Sequence, residues 1–145
     1  MKNDVQNRHT NPDYADDTRS EDVRDSVMMA HLIDSLEAGV DIGHFGRLTF
    51  VMIARHFMEE DEMIKLLRKN LNAEDAKALI LQVKARDYNP PKRERILEWQ
   101  KEQDFPICPN PEDPRACNVY RELRFPDSIY ENIDEYWLDK AEAAD

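Results

Sequence analysis

Three polar side chains share a narrow arc of an otherwise apolar stretch, and they are the first candidates for chemistry. Within HFGRLTFVMIARHF, residues 44–57, helical spacing places His44 about 60° and Arg55 about 80° from Arg47. A cationic stripe on a helix that is apolar on nearly every other side must meet an anion or water, because unpaired buried charge is expensive. One reading is a phosphate-binding stripe. The other is internal pairing with some of the chain's 31 Asp and Glu residues.

A second basic cluster, Lys84, Arg86, Lys92, Arg93, Arg95 and Lys101, straddles Pro90-Pro91 and includes Tyr88 and Trp99. Cations beside aromatic faces suit single-stranded nucleic acid, with charge for the backbone and a ring for a base. The same pattern also describes a solvated helix face. Cys108 and Cys117 bracket a loop stiffened by Pro109, Pro111 and Pro114. Two thiolates complete no structural zinc or iron-sulfur site. Ligands from His31, His44, His56 or a second chain would be needed, and two buried free thiols are the simpler expectation. No Gly-rich phosphate loop, HExxH motif or nucleophile elbow is present. The run Glu59, Glu60, Asp61, Glu62 reads as a helix N-terminus. Nothing in these residues demands an enzyme.

The elements that must position these groups are helical. Met28, Leu32, Ile33 and Leu36 recur at helical spacing over 25–38, and Gly39 suits the stop. A buried central helix follows over 44–57, then an acid-led helix ending in Lys65, Arg68 and Lys69. Asn72 with Asp75 marks the cap of a fourth helix carrying Ala76, Leu79, Ile80 and Val83, which Pro90-Pro91 terminate. KRERILEWQKEQ forms a charged fifth helix, and a last helix is expected over about 127–144 with Ile129, Tyr130, Ile133, Tyr136 and Trp137. The fold class predicted is all-α, a bundle of five or six short helices with a Pro-rich Cys loop.

The chain has 145 residues and a formal charge of -11, and its size fits one domain. Residues 1–24 are polar and aperiodic and read as a disordered acidic tail, leaving 25–145 as a single helical domain. No apolar run approaches a membrane span, and the N-terminus has no apolar stretch, so a cytoplasmic protein with no membrane partner is expected. The charge is unevenly spread. Residues 44–101 hold 12 Lys+Arg against 9 Asp+Glu, a balance of +3, and the remainder carries -14. A polyanion therefore has a place to sit on the central helices and is repelled elsewhere.

From Met28 to about Tyr130 the order of features resembles the C-terminal, iron-sulfur domain of the archaeal and eukaryotic DNA primase large subunit. The matching pieces are His44-Phe45-Gly46-Arg47 opening a buried helix and Arg55 eight positions later. Gln82-Val83, Tyr88-Asn89-Pro90-Pro91, Ile107-Cys108-Pro109-Asn110 through Cys117, and Phe125-Pro126 follow in order. The resemblance implies a helical, non-catalytic accessory module that binds single-stranded or primer-template nucleic acid, or a nucleotide. Such a module would assist primer synthesis by a separate primase or polymerase catalytic subunit. By resemblance, His44, Arg47 and Arg55 contact phosphates, with Lys84, Arg86, Tyr88, Lys92 and Arg93 in the same interface. The family holds a [4Fe-4S] cluster on four cysteines, but its first two fall near Met28 and Arg93 here. With Cys108 and Cys117 alone, no normal cofactor is expected, and at most a degenerate iron-sulfur or zinc site remains. The alternative is a small acidic helical adaptor or regulator that acts through protein–protein contacts.

Overall fold

Ser26, fully buried, starts the first helix by accepting from the Met29 N–H at 3.2 Å. This helix, α1 (Val27–Glu37), turns Met28, Met29, Leu32, Ile33 and Leu36 inward. Its end is a Schellman motif. Gly39 adopts φ +78°, its N–H donates to the Leu36 carbonyl, and the Val40 N–H donates to Ser35. The computed structural model describes residues 19–130, so the expected helical residues 131–144, with Ile133, Tyr136 and Trp137, lie outside the described residues.

The remaining helices are α2 (Gly43–Ala54), α3 (Glu60–Leu67), α4 (Ala73–Arg86), α5 (Arg93–Gln100) and the single turn α6 (Val119–Glu122). Helical backbone also begins at residues 127–130. The fold is all-helical, as the apolar periodicity predicts. No strand occurs among the described residues, although one isolated parallel bridge joins Ser20 to Leu123.

Helix α2 is the centre of the bundle and packs against α1, α3, α4 and α5. Gly46, Thr49, Phe50, Val51, Met52, Ile53 and Ala54 are all buried along it, which is why its sequence is apolar on every side. It stops three residues short of the predicted end. Arg55 is its C-cap and His56, Phe57 and Met58 form a tight turn, because the Glu59 N–H donates to the Glu62 carboxylate and a new helix starts there. Asn72 caps α4 by accepting from the Asp75 N–H at 2.8 Å, in the predicted position.

The folded region begins before residue 25. A strap formed by residues 20–25 includes a 3-10 turn (Val23–Asp25) and buries Val23. The Ser20 N–H donates to the Glu122 carbonyl, and the Arg124 N–H donates to the Ser20 carbonyl. Arg24 is bonded to Asp34 and Glu37 of α1. Polar composition concealed the strap, since one buried valine among acids carries no periodicity.

Candidate functional site

The N-terminus of α2 is built around a backbone turn that only glycine accepts easily. Gly43 sits at φ +77°, with its N–H donating to Asp41. The Gln103 amide then bridges the turn. Its Oε1 accepts from the Phe45 N–H at 2.9 Å, and its Nε2 donates to the Ile42 and Phe105 carbonyls. Arg47, one turn along, donates to Asp41 at 3.0 Å and to the Asn70 Oδ1 at 3.3 Å. Asn70 also accepts from the Ile42 N–H and donates to the Val40 carbonyl. The Gly43 N–H and the Arg47 guanidinium hold the Asp41 carboxyl below its ordinary pKa. His44 is exposed and lies edge-on to Phe45, which stacks on Trp99 with ring centres 5.4 Å apart.

At the other end of α2, Arg55 donates to the Asp87 carboxylate at 2.7 Å and to the Tyr88 carbonyl at 3.1 Å. It ties the central helix to the left-handed C-cap of α4, where Asp87 has φ +48°. Lys84 reaches Glu60 at 2.8 Å. Arg55, His56 and Lys84 share an open cleft of about 560 Å³ with Glu59, Glu60 and Glu62. Carboxylates outnumber the cations there, which disfavours a phosphate.

Arg93 does something the sequence does not announce. Its Nε donates to the Ala116 carbonyl at 3.0 Å, and its Nη2 donates to Pro111 at 2.8 Å and Asp113 at 3.2 Å. The guanidinium is thus committed to the proline loop. Lys92 is the N-cap residue of α5, Arg86 is exposed, and Tyr88 is half-buried with its N–H donating to Val83. The structure therefore brings Arg55, Lys84 and Tyr88 together, and separates them from His44 and Arg47 along α2, with Arg47 and Arg55 roughly 12 Å apart at 1.5 Å per residue.

The expectation of free thiols is corrected. Cys108 and Cys117, both buried, form a disulfide, and a disulfide sulfur is not a thiolate ligand. Met28 is buried in the core and Arg93 is held by three carbonyls, so the residues present do not fit a four-thiolate cluster. No group of three or more His, Cys, Asp or Glu among the described residues is placed to hold a metal ion.

His56 gave no signal in the sequence beyond its residue type. It is half-buried, its ring is edge-on to Phe125 at 5.6 Å, and its Nε2 has no hydrogen-bond partner among the described residues. Burial, reinforced by the neighbouring Arg55 and partly offset by Asp87, pushes its pKa down to about 4. A base whose folded pKa is depressed contributes stability that is lost as pH falls from its unfolded value near 6.5 toward 4. Burial acts oppositely on Glu122, whose raised pKa makes the fold lose stability as pH rises above 4.5. Denaturant midpoints at pH 7 and pH 4.5 separate the two effects. His56→Phe should show a smaller loss on acidification than the parent, and Glu122→Gln a larger one.

Comparison with known proteins finds no family model, no curated protein and no solved structure that matches this chain. No helix among the described residues is long and apolar enough to cross a membrane.

Proposed function

We propose that this chain is a small acidic helical adaptor that acts through protein–protein contacts, and that its prominent cations serve its own fold. One observation carries the reading: Arg47, Arg55, Lys84 and Arg93 each donate to acceptors within the chain, although the buried Arg55 Nε has no partner among the described residues. Arg47 and Arg55 are also largely covered, with side chains 16% and 12% exposed. A phosphate contact needs donors turned outward. These join separate parts of the chain.

A second reading, the nucleic-acid-binding accessory module of a primase-like assembly, has one observation in its favour. Asp41 and Asp87, the partners of Arg47 and Arg55, are 82% and 79% exposed, so a phosphate competes with acids that water already reaches. Arg86 and the half-exposed Tyr88 lie beside the Arg55 pair in the chain.

Titration with single-stranded, duplex and primer-template DNA at low salt separates the readings, because phosphate contacts are strongest there. The adaptor reading expects no binding by the parent chain. It also expects Arg55→Ala to lower stability by about 1–2 kcal/mol, since a bridge between α2 and α4 is lost. Binding that is abolished by Arg47→Ala or Arg55→Ala in a stably folded chain overturns it in favour of the module.

A further inference from the structure

Cys108 and Cys117 are joined across a separation of 9 residues, and the loop between them is held a second time without covalent help. Helix α5 supplies that hold from both of its ends. At its start, Arg93 takes the Pro111, Asp113 and Ala116 carbonyls. At its close, the Gln100 Oε1 accepts from the Cys108 N–H at 2.7 Å. Both cysteines are buried, so a reductant meets the bond only after the loop lifts from α5. Cys117 adopts φ +66°, a left-handed backbone that a residue with a Cβ takes at a cost. Helix α6 begins two residues later, where the Tyr120 hydroxyl donates to the Pro90 carbonyl. The strain therefore sits at the joint between the gripped loop and α6.

We propose that Cys108–Cys117 is a reversible dithiol–disulfide switch for which Arg93 is the positioning residue. A dithiol reductant opens it. One thiolate of the reductant attacks a sulfur of the pair, the S–S bond breaks, and the other sulfur leaves as a thiolate and takes up a proton. The reductant's second thiol then attacks the mixed disulfide, frees the second cysteine and closes its own disulfide, so two electrons pass to the chain. Without the bond, Cys117 can leave its left-handed conformation, and the loop and α6 loosen. The grip of α5 opposes that release. It keeps the two thiols near each other, their Cα atoms being 5.9 Å apart in the closed form, so reoxidation is a local step. By linkage, whatever Arg93 adds to the closed loop it adds equally to the disulfide. Neither functional reading uses these sulfurs, and the switch stands with both.

The test equilibrates the full chain in graded mixtures of reduced and oxidised dithiothreitol, quenches in acid and counts the cysteines alkylated after unfolding. The parent should pass from closed to open with its helical circular dichroism retained, and reclose when the ratio is reversed. Amide exchange in the open form should rise from Cys108 to Leu123. Arg93→Ala should favour the dithiol by about tenfold in the equilibrium constant, about 30 mV for a two-electron couple. Asn72→Ala removes the α4 cap, away from the loop, and should leave the midpoint unchanged, which separates the grip from general stability. An equal midpoint for Arg93→Ala and the parent, or as large a shift for Asn72→Ala, overturns the role of Arg93. Reduction that unfolds the parent outright, or exchange that is the same in both forms, overturns the switch. If Arg93→Ala leaves too little folded chain, Gln100→Ala removes only the Cys108 acceptor and should shift the midpoint in the same direction, and no shift there overturns the α5 grip.

Discussion

Replacing Gly43 by alanine lowers the stability of the protein by about 3 kcal/mol, the sum of two separate costs. The first is conformational. At φ +77° an L side chain crowds its own backbone, which costs roughly 1–2 kcal/mol. The second is contact. A Cβ at this position stands 2.6 Å from the Cδ and Nε2 of Gln103, and Gln103 cannot swing away without giving up its bonds to Phe45, Ile42 and Phe105. Gln103→Ala removes those bonds without backbone strain, so it should cost less than Gly43→Ala. The double variant should fall short of the sum of the singles, because the collision is gone. Thermal unfolding of the four proteins reads this out, with a fall for Gly43→Ala on the order of 10 °C. Additive losses would show that Gln103 and Gly43 act independently.

Arg93→Ala should destabilise by about 2–4 kcal/mol, a range set by charge-assisted hydrogen bonds and the buried carbonyl left behind. Three carbonyls of the loop converge on one planar guanidinium, and that of Ala116 belongs to a residue only 8% exposed. Lysine retains the charge but not the fork, so Arg93→Lys should recover less than half of the loss. Denaturant midpoints test the magnitude, and amide exchange in the loop from Ile107 to Cys117 tests the place. Unchanged stability with altered DNA affinity would return Arg93 to the nucleic-acid interface.

The extent to which this molecule is legible in its sequence follows the range of its interactions. Helix α2 was readable because Phe50, Val51, Met52, Ile53 and Ala54 occupy every side of it. The α4 cap was readable because Asn72 and Asp75 are three residues apart. The site was not readable in the same way. Charge and helical phase identified Arg47 and Arg55 as a stripe, but their acceptors lie on other elements, Arg47 with Asn70 and Arg55 with Asp87. Gln103 and Arg93 bond to backbone carbonyls, which every residue has, so no residue type marks the partner. The cysteine pair was read as free thiols for a related reason, since nothing in the spacing of Cys108 and Cys117 marks them as bonded to each other.

The bridge from Ser20 to Leu123 also bears on when this protein can finish folding. Glu21 and Arg124 are 103 residues apart, so the strap and the segment after α6 meet only when nearly all of the described chain has been synthesised. Helices α1 to α4 can associate on the ribosome through short connections, but Ser20 has no carbonyl to donate to until Glu122 has left the exit tunnel. Closing a loop of that length adds little entropy cost beyond a shorter one, yet it fixes the order of events. Val23 and Arg24 can seat on α1 early, so the Ser20 end of the strap is the part that must wait for the segment after α6.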